Sequence, residues 1–323
     1  MWKDVLTSLF MGLILPGILL NGISLAMPRQ QLWEPTVIQS ETVCAGEISV
    51  EIPVTGGDGT RALMPLEEYL VGVVLGEMPT FFETEALKAQ SVVARTYTLK
   101  AVTAGGKHDG AICTDPGCCQ AYTSAETFLQ TGGTREDLEK VQNAVCSTAG
   151  KVLTYEGGLI EATYFSCSGG STEDAAAVWG TDYPYLRAVI SPGEEAAAYY
   201  TDTKSFDPEV FCAALDIAPS GKPESWLGRP TYTPGGGVAS VVIGGKEFTG
   251  TQLRNLLGLR STALSFSFED DRIVVTTKGF GHRVGMSQYG ADAMAVSGNS
   301  YAEILAHYYP GTLLERWEGN YQR

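Results

Sequence analysis

Between Pro65 and Pro79 the chain has room for one helix and for little else. In "PLEEYLVGVVLGEMP" a proline suited to a first helical turn is followed by Leu66, Tyr69, Leu70, Val73, Val74 and Glu77 at three- and four-residue steps, the spacing of a single buried stripe. Met78 precedes a proline and is pushed out of helical geometry, so the helix is expected to end there. The stripe therefore closes on a carboxylate. At a helix C-terminus Glu77 meets the negative end of the dipole, and apolar neighbours strip its water; both effects favour the protonated form. A glutamic acid kept neutral in this way retains a proton to donate near neutral pH. Glutamates at helix ends are more often simply solvated, so position alone nominates Glu77 without assigning it.

A second helix is expected from about Glu83 to Val102, with Ala86, Leu87, Ala89, Val93 and Tyr97 among its packing residues. Lys88 and Arg95 lie two turns apart on one face, where they would meet substrate oxygens or steady a carboxylate, or else form a wet basic surface. Further on, "ATYFSCSGGSTEDAAAVWGTDYPYLRAV" begins as a strand and opens into a turn whose hydroxyls and close-approaching amides, around Ser166, Ser168, Gly169 and Gly170, suit hydroxyl-rich ligands. "KGFGHRVGMSQYGADAMA" sets His282 in a glycine-spaced loop, with Ser287, Gln288 and Tyr289 ahead of a helix expected from about Ala291. No dinucleotide-binding or phosphate-cradling pattern fits this loop. His282, Gln288 and Tyr289 are candidate substrate contacts; a structural histidine is the alternative for His282.

Composition narrows the partners. A chain of 323 residues with 44% hydrophobic residues is globular, and its formal net charge of −15, with no basic cluster, excludes an electrostatic grip on nucleic acid or anionic lipid. Val5 to Met27 carries no charge, follows Lys3, and is long enough to cross a bilayer, which reads as one transmembrane helix. Ser24-Leu25-Ala26 resembles a signal cleavage site, so a cleaved signal peptide is the competing reading. Either way the chain from about residue 29 is expected to be exported. A polar linker then leads to folded structure near "GEISVEIPV".

The seven cysteines are an odd number, so a complete disulfide framework within one molecule is impossible. Four potential metal ligands, His108, Cys113, Cys118 and Cys119, crowd into "KHDGAICTDPGCCQAY", where Asp115-Pro116-Gly117 is a turn that would bring Cys113 back beside Cys119. The spacing alone leaves zinc, a local disulfide and free thiols all open.

Taken together, "PLEEYLVGVVLGEMPTFFETEALKAQSVVARTYTLK", "ATYFSCSGGSTED", "YPYLRAV" and "GFGHRVGMSQYGADAMA" resemble the successive signature blocks of the stage II sporulation protein D family, a wider group that includes the amidase enhancers. The blocks follow one another in family order. The resemblance implies a peptidoglycan lytic transglycosylase, single-pass in the mother-cell membrane with its catalytic domain on the extracytoplasmic side, active in forespore engulfment. Its substrate would be the glycan strand, and its partners other engulfment proteins, including a cell-wall amidase. Such enzymes cut the β-1,4 bond between N-acetylmuramic acid and N-acetylglucosamine without water, leaving a 1,6-anhydro end. The family's catalytic glutamate falls on Glu77, its helix lysine and arginine on Lys88 and Arg95, and its serine-glycine block on Tyr164, Ser166 and Ser168. Clostridial members are similar in carrying a zinc site where His108 to Cys119 stands, which implies a closed structural zinc. Cys118 replaces a more usual histidine, leaving open which of Cys118 and Cys119 would bind it.

The expected fold class is α+β: a helical segment packed on a strand-rich body that forms a glycan-binding cleft, preceded by the N-terminal transmembrane helix. Residues 1–28 would be the anchor, 29–45 the linker and 46–323 the catalytic domain, with 194–235 a flanking lobe. "SVVIGGKEFTGTQLRNLLGL" and "LSFSFEDDRIVVTTKGFGH" are expected to be strand-rich pieces of the same cleft. Two other functions remain: a non-catalytic amidase activator, and a cysteine hydrolase using Cys167 with His282 or His307, which lacks any nucleophile-activating motif around Cys167.

Overall fold

The computed structural model describes residues 36–38, 44, 49–105 and 108–319. The chain divides into two compact units, residues 1–31 and 32–323, of which the first lies outside the described residues. The anchor expected over 1–28 therefore falls outside them, as does most of the linker over 29–45. Among the described residues no helix is long and apolar enough to cross a membrane.

β1 (Thr36–Ile38) and β2 (Ser49–Thr55) pair antiparallel, and β2 turns back into β3 (Arg61–Pro65). Ile52 and Val54, on one face of β2, enter the core. Pro65 closes β3 with φ −56°, already set for α1 (Leu66–Glu77), whose Leu66, Tyr69, Leu70, Val73 and Val74 are buried as the stripe predicts. Met78 is extended at φ −124° and ψ 142°, as the following proline favours, so Glu77 is the last helical residue. α2 (Thr84–Thr103) buries Ala86, Leu87, Ala89 and Val93. Arg95, in the second half of α2, reaches Glu67 in the first turn of α1, so the two helices run antiparallel.

The chain continues through β4 (Ile112–Cys113), which joins β2 in parallel, and two helices capped by side-chain oxygens, α3 (Ala125–Gln130) by Ser124 and α4 (Arg135–Ser147) by Thr134. α4 packs on both α1 and α2, and a disulfide joins its Cys146 to Cys44. β5 (Lys151–Tyr155) and β6 (Gly158–Leu159) form a hairpin, followed by β7 (Tyr164–Phe165) and the short α5 (Ala175–Trp179).

A second core gathers around Phe211, Val241, Ile243, Phe248, Leu253, Ile273 and Val275. It is built by β8 (Thr201–Phe206), α6 (Pro208–Leu215), β9 (Thr231–Tyr232), β10 (Val238–Ile243), β11 (Lys246–Phe248), α7 (Gly250–Leu256), β12 (Ala263–Glu269) and β13 (Arg272–Lys278). β12 and β13 turn at Asp270 and Asp271, with φ 49° and 62°, the left-handed pair that a two-residue hairpin needs. β8 pairs with β13, so residues 201–215, within the segment 194–235 expected to form a flanking lobe, share a core with 238–278. The polar alternation of β8, "TDTKSF", hid it as a strand because only one face meets the core. Of the stretch expected to be strand-rich, "SVVIGGKEF" forms paired strands, while "GTQLRNL" is helical.

The chain ends through β14 (Met286–Ser287), α8 (Gln288–Val296), α9 (Tyr301–Tyr308) and β15 (Leu313–Arg316), the last pairing with β5. α8 starts at Gln288 rather than near Ala291, because the Ser287 hydroxyl accepts from the Gly290 N–H at 3.2 Å and caps the helix there. Helices α1, α2, α4, α8 and α9 contribute to one core with β2 and β5, and the sheets are mainly antiparallel, so the architecture is α+β.

Candidate functional site

Backbone approach positions Glu77. A Cβ on Gly76 would lie 2.8 Å from the Tyr122 nitrogen and 2.9 Å from the Ala121 carbonyl carbon, and one on Gly72 would lie 2.2 Å from the Tyr122 ring. Only glycines at these two steps of α1 let the 120–122 segment lie against the helix. The Ala121 N–H then donates to Glu77 Oε1 at 2.7 Å. Burial pushes the Glu77 carboxyl above its ordinary range, while hydrogen bonding from the Ala121 N–H, the Tyr164 hydroxyl and the Gln288 side chain opposes that rise.

Tyr164 arrives from another part of the chain. β7 pairs in parallel with β14, register Met286 to Tyr164 and Ser287 to Phe165, and the Tyr289 N–H donates to the Ser166 carbonyl at 3.0 Å. This short pairing brings the serine-glycine and "GMSQYG" segments together. The Tyr164 hydroxyl accepts from Gln120 Nε2 at 3.1 Å, and Gln120 Oε1 accepts from Thr98 at 2.7 Å. Burial and the neighbouring Glu77 drive the Tyr164 phenol well above its ordinary range, so it stays a donor.

A cavity of about 310 Å³ opens beside Glu77, lined by Gly76, Met78, Pro79, Phe82, Ser166, Tyr199, Gln288 and Tyr289 as well as the carboxyl itself. Gln288 is buried, and its amide nitrogen lies near Glu77 without completing a close hydrogen bond to any described residue. Ser166, Gln288 and Tyr289 thus lie around the same cavity as Glu77.

Other predicted residues stand elsewhere. Arg95 is fully buried and forks onto Glu67 at 2.9 and 2.6 Å, with the carbonyls of Lys151 and Val145 at 3.1 and 3.3 Å. Because the helices are antiparallel, that places it at the opposite end of α1 from Glu77. Lys88 pairs with Glu85 at 2.7 Å. Neither lines the cavity. Ser168 is buried and donates through both its N–H and its hydroxyl to Glu194, at 2.9 and 2.6 Å. The His282 ring packs against Phe165 and Trp179, centroids 5.6 and 5.3 Å away, and its Nδ1 accepts from the Val284 N–H. Burial, with Arg254 adding to it, lowers His282 to about 4, so the ring is neutral.

Sequence reasoning missed Glu194, Gln120, Ala121 and Tyr199. Glu194 accepts from Ser168, Gly169, Ser191 and Ser287, tying the serine-glycine loop to the cap of α8. No local pattern marks such a residue. The Gly72-x-x-x-Gly76 spacing was the available signal for the 120–122 contact.

His108, Cys113, Cys118 and Cys119 form a second cluster, with one donor atom from each within 4.8 Å of the others. His108 Nε2 lies 3.2 Å from Cys118 Sγ. Tetrahedral coordination at about 2.0–2.3 Å from a zinc ion sets ligand atoms a little closer together than this limit, so three sulfurs and an imidazole of this compactness fit one ion. Both Cys118 and Cys119 belong to the group.

The site is thus a partly buried carboxyl at a helix end, framed by a tyrosine, a glutamine and two loops of an α+β protein. The stage II sporulation protein model matches residues 56–155, which hold α1, α2 and the cysteine cluster. Stage II sporulation protein D of Bacillus amyloliquefaciens is 40% identical over 86% of this chain and 80% of that protein. The Bacillus subtilis (strain 168) protein of the same name is 40% identical over 86% and 82%. An amidase enhancer of Bacillus subtilis (strain 168) is 31% identical over 76% of this chain and 40% of its own length. The chain belongs to the stage II sporulation protein D family.

Proposed function

We propose that this chain is a peptidoglycan lytic transglycosylase of forespore engulfment, with Glu77 as its single acid–base group. One observation carries the reading: among the described residues lining the cavity Glu77 is the sole carboxylate, and burial favours its protonated form. Hydrolytic glycosidases use two carboxyls at defined separations, one to activate water or form an ester. An internal transfer needs only one. The Glu77 proton passes to the oxygen between N-acetylmuramic acid C1 and N-acetylglucosamine C4, and the C1–O bond breaks with positive charge developing at C1. The muramic C6 hydroxyl then bonds to C1 and returns its proton to the Glu77 carboxylate. No water is consumed, and a 1,6-anhydro end results. Between the two halves the Ala121 N–H, the Tyr164 hydroxyl and the Gln288 side chain stabilise the carboxylate.

The likeness to an amidase enhancer favours a second reading, a non-catalytic activator of a cell-wall amidase. Mass spectrometry of a peptidoglycan digest separates the two. Anhydro ends made by wild type and not by Glu77→Gln support the transglycosylase; no anhydro ends, with freed peptides rising only when an amidase is added, support the activator.

On the same reading residues 1–28 hold the catalytic domain at the extracytoplasmic face of the mother-cell membrane, beside other engulfment proteins. His108, Cys113, Cys118 and Cys119 would hold a structural zinc. When bound, the ion supplies loop closure, and no reacting bond passes through it. The cluster directly precedes Gln120 and Ala121, so what it holds still is the segment that touches Tyr164 and Glu77.

A further inference from the structure

Two partly exposed aromatic rings stand together beside the cavity, Tyr199 lining it and Phe280 packed on Tyr199. Tyr199 and Phe280 are each 39% exposed, and neither belongs to either hydrophobic core. Their centroids lie 5.4 Å apart at 58°. The Arg260 guanidinium sits over both, with Cζ 5.4 Å from the Tyr199 centroid and 5.8 Å from that of Phe280. Its ion-pair partner among the described residues is Asp202, at 3.4 Å, and the side chain keeps about a third of its surface exposed.

The rings are held in register with the reacting group. Tyr199 lines the Glu77 cavity and meets Tyr289 edge-on at 6.3 Å. Phe280 exchanges backbone hydrogen bonds with Cys167 at 2.7 and 3.2 Å, one residue from Ser166. Gly279, at φ 82°, lets the two backbones approach so closely that a Cβ there would lie 2.6 Å from the Cys167 oxygen. The two rings and the guanidinium packed against them therefore form a partly exposed surface that adjoins the cavity through Tyr199. Pyranose rings present axial C–H groups that pack on aromatic faces, and a guanidinium fork matches a carboxylate.

We infer that the Tyr199–Phe280 ledge is a sugar subsite next to the cleaved bond, and that Arg260 reads a carboxylate carried on that sugar's substituent. The occupant is an acidic amino sugar of the glycan strand, and the inference rests on the glycan reading above. Two carboxylates have this chemistry: the lactyl group of a peptide-free muramic acid, and a stem-peptide carboxylate where the lactyl group is amidated.

The test uses full-length Glu77→Gln protein, so that strands stay intact while bound. Calorimetry measures its affinity for peptide-stripped glycan strands, peptide-bearing strands and a neutral chito-oligosaccharide of matched length. Phe280→Ala is expected to weaken binding of stripped strands and chito-oligosaccharide alike by about fivefold, the size of one aromatic contact. Arg260→Gln is expected to weaken binding of carboxylate-bearing strands by about tenfold or more and to leave the chito-oligosaccharide unchanged. Arg260→Lys should fall between, because it keeps the charge and loses the fork. Loss with stripped strands assigns the lactyl carboxylate; loss confined to peptide-bearing strands assigns the peptide. Equal effects of Arg260→Gln on all three ligands, or no effect of either ledge variant, overturn the subsite while leaving the glycan reading intact. If the Glu77→Gln parent binds none of the three, the glycan reading fails and the subsite with it.

Discussion

Glu77 titrates against its own fold. Its carboxyl is raised by burial, so between its unfolded and folded pKa values the native state binds more protons than the unfolded chain, and stability falls as pH rises through that window. Above the window the penalty is constant; below the ordinary glutamate value it is absent. Glu77→Gln, which stays neutral, is therefore expected to match or exceed wild type in thermal unfolding at neutral pH and to lose that margin in acid. The same substitution should lower strand cleavage by about 10²–10⁴-fold, the usual worth of general acid–base help. A mutant that gains no relative stability with pH would show that the carboxyl is not desolvated. Gly76→Ala tests its partner: the added Cβ meets the Ala121–Tyr122 backbone and displaces the N–H that lowers the Glu77 pKa. Since cleavage requires the acid form first, the alkaline limb of the pH–rate profile should move to higher pH while the maximal rate falls. An unmoved limb would mean that Ala121 does not tune the carboxyl.

At the scale of elements, the ends of α1 were legible because prolines act locally, and its buried stripe was legible because helical period is a property of one segment. What Arg95 pairs with was not, since the antiparallel turn-back decides which end of α1 it meets. Sequence spacing left Arg95 open between the site and a wet surface, and the family resemblance implied the site; the structure places its fork on Glu67, both groups almost withdrawn from water. Removing one member of such a pair strands a buried charge, so Arg95→Ala should lower unfolding stability by about 3–5 kcal/mol. Any activity loss should follow the folded fraction. Lys88→Ala, which breaks only a half-exposed pair with Glu85, should stay within about 0.5 kcal/mol. Chemical denaturation of the two variants checks both values, and an Arg95→Ala protein that is stable yet inactive would return the arginine to the site. The cysteine segment was legible in composition and ambiguous in ligand choice, because adjacent residues such as Cys118 and Cys119 ordinarily point apart and only the folded turn brings both inward. Elemental analysis of protein purified without chelator should find about one zinc per chain. Cys113→Ser should release it and lower the unfolding temperature, whereas metal-free wild type with an intact fold would reject the ion.

Over the whole molecule, the odd cysteine count excluded a complete framework but could not say which thiols pair, because pairing depends on how distant segments pack. The answer joins residue 44, ahead of β2, to the end of α4, across a sequence separation of 102. Cys167 and Cys212 remain as single thiols, and the cysteines of the His108 cluster make up the rest. A cross-link over a loop of this length restricts the unfolded chain strongly; chain-entropy reasoning gives about 4–5 kcal/mol, and removal of native disulfides typically costs about 2–5 kcal/mol. A disulfide also persists where the surroundings are oxidising, which agrees with the proposed extracytoplasmic placement. Reductant is a poor probe, because it would act on the thiols of the His108 cluster as well. The Cys44→Ser/Cys146→Ser double variant isolates the bond. It is expected to unfold at lower denaturant with a steeper dependence on concentration, since an uncross-linked unfolded chain exposes more surface. Cleavage by the folded fraction should be unchanged, because neither cysteine lines the Glu77 cavity. Coincident unfolding curves for the double variant and oxidised wild type would mean that the bond does not form, and a folded but inactive variant would mean that α4 transmits its position to the α1–α2 pair that carries the carboxyl.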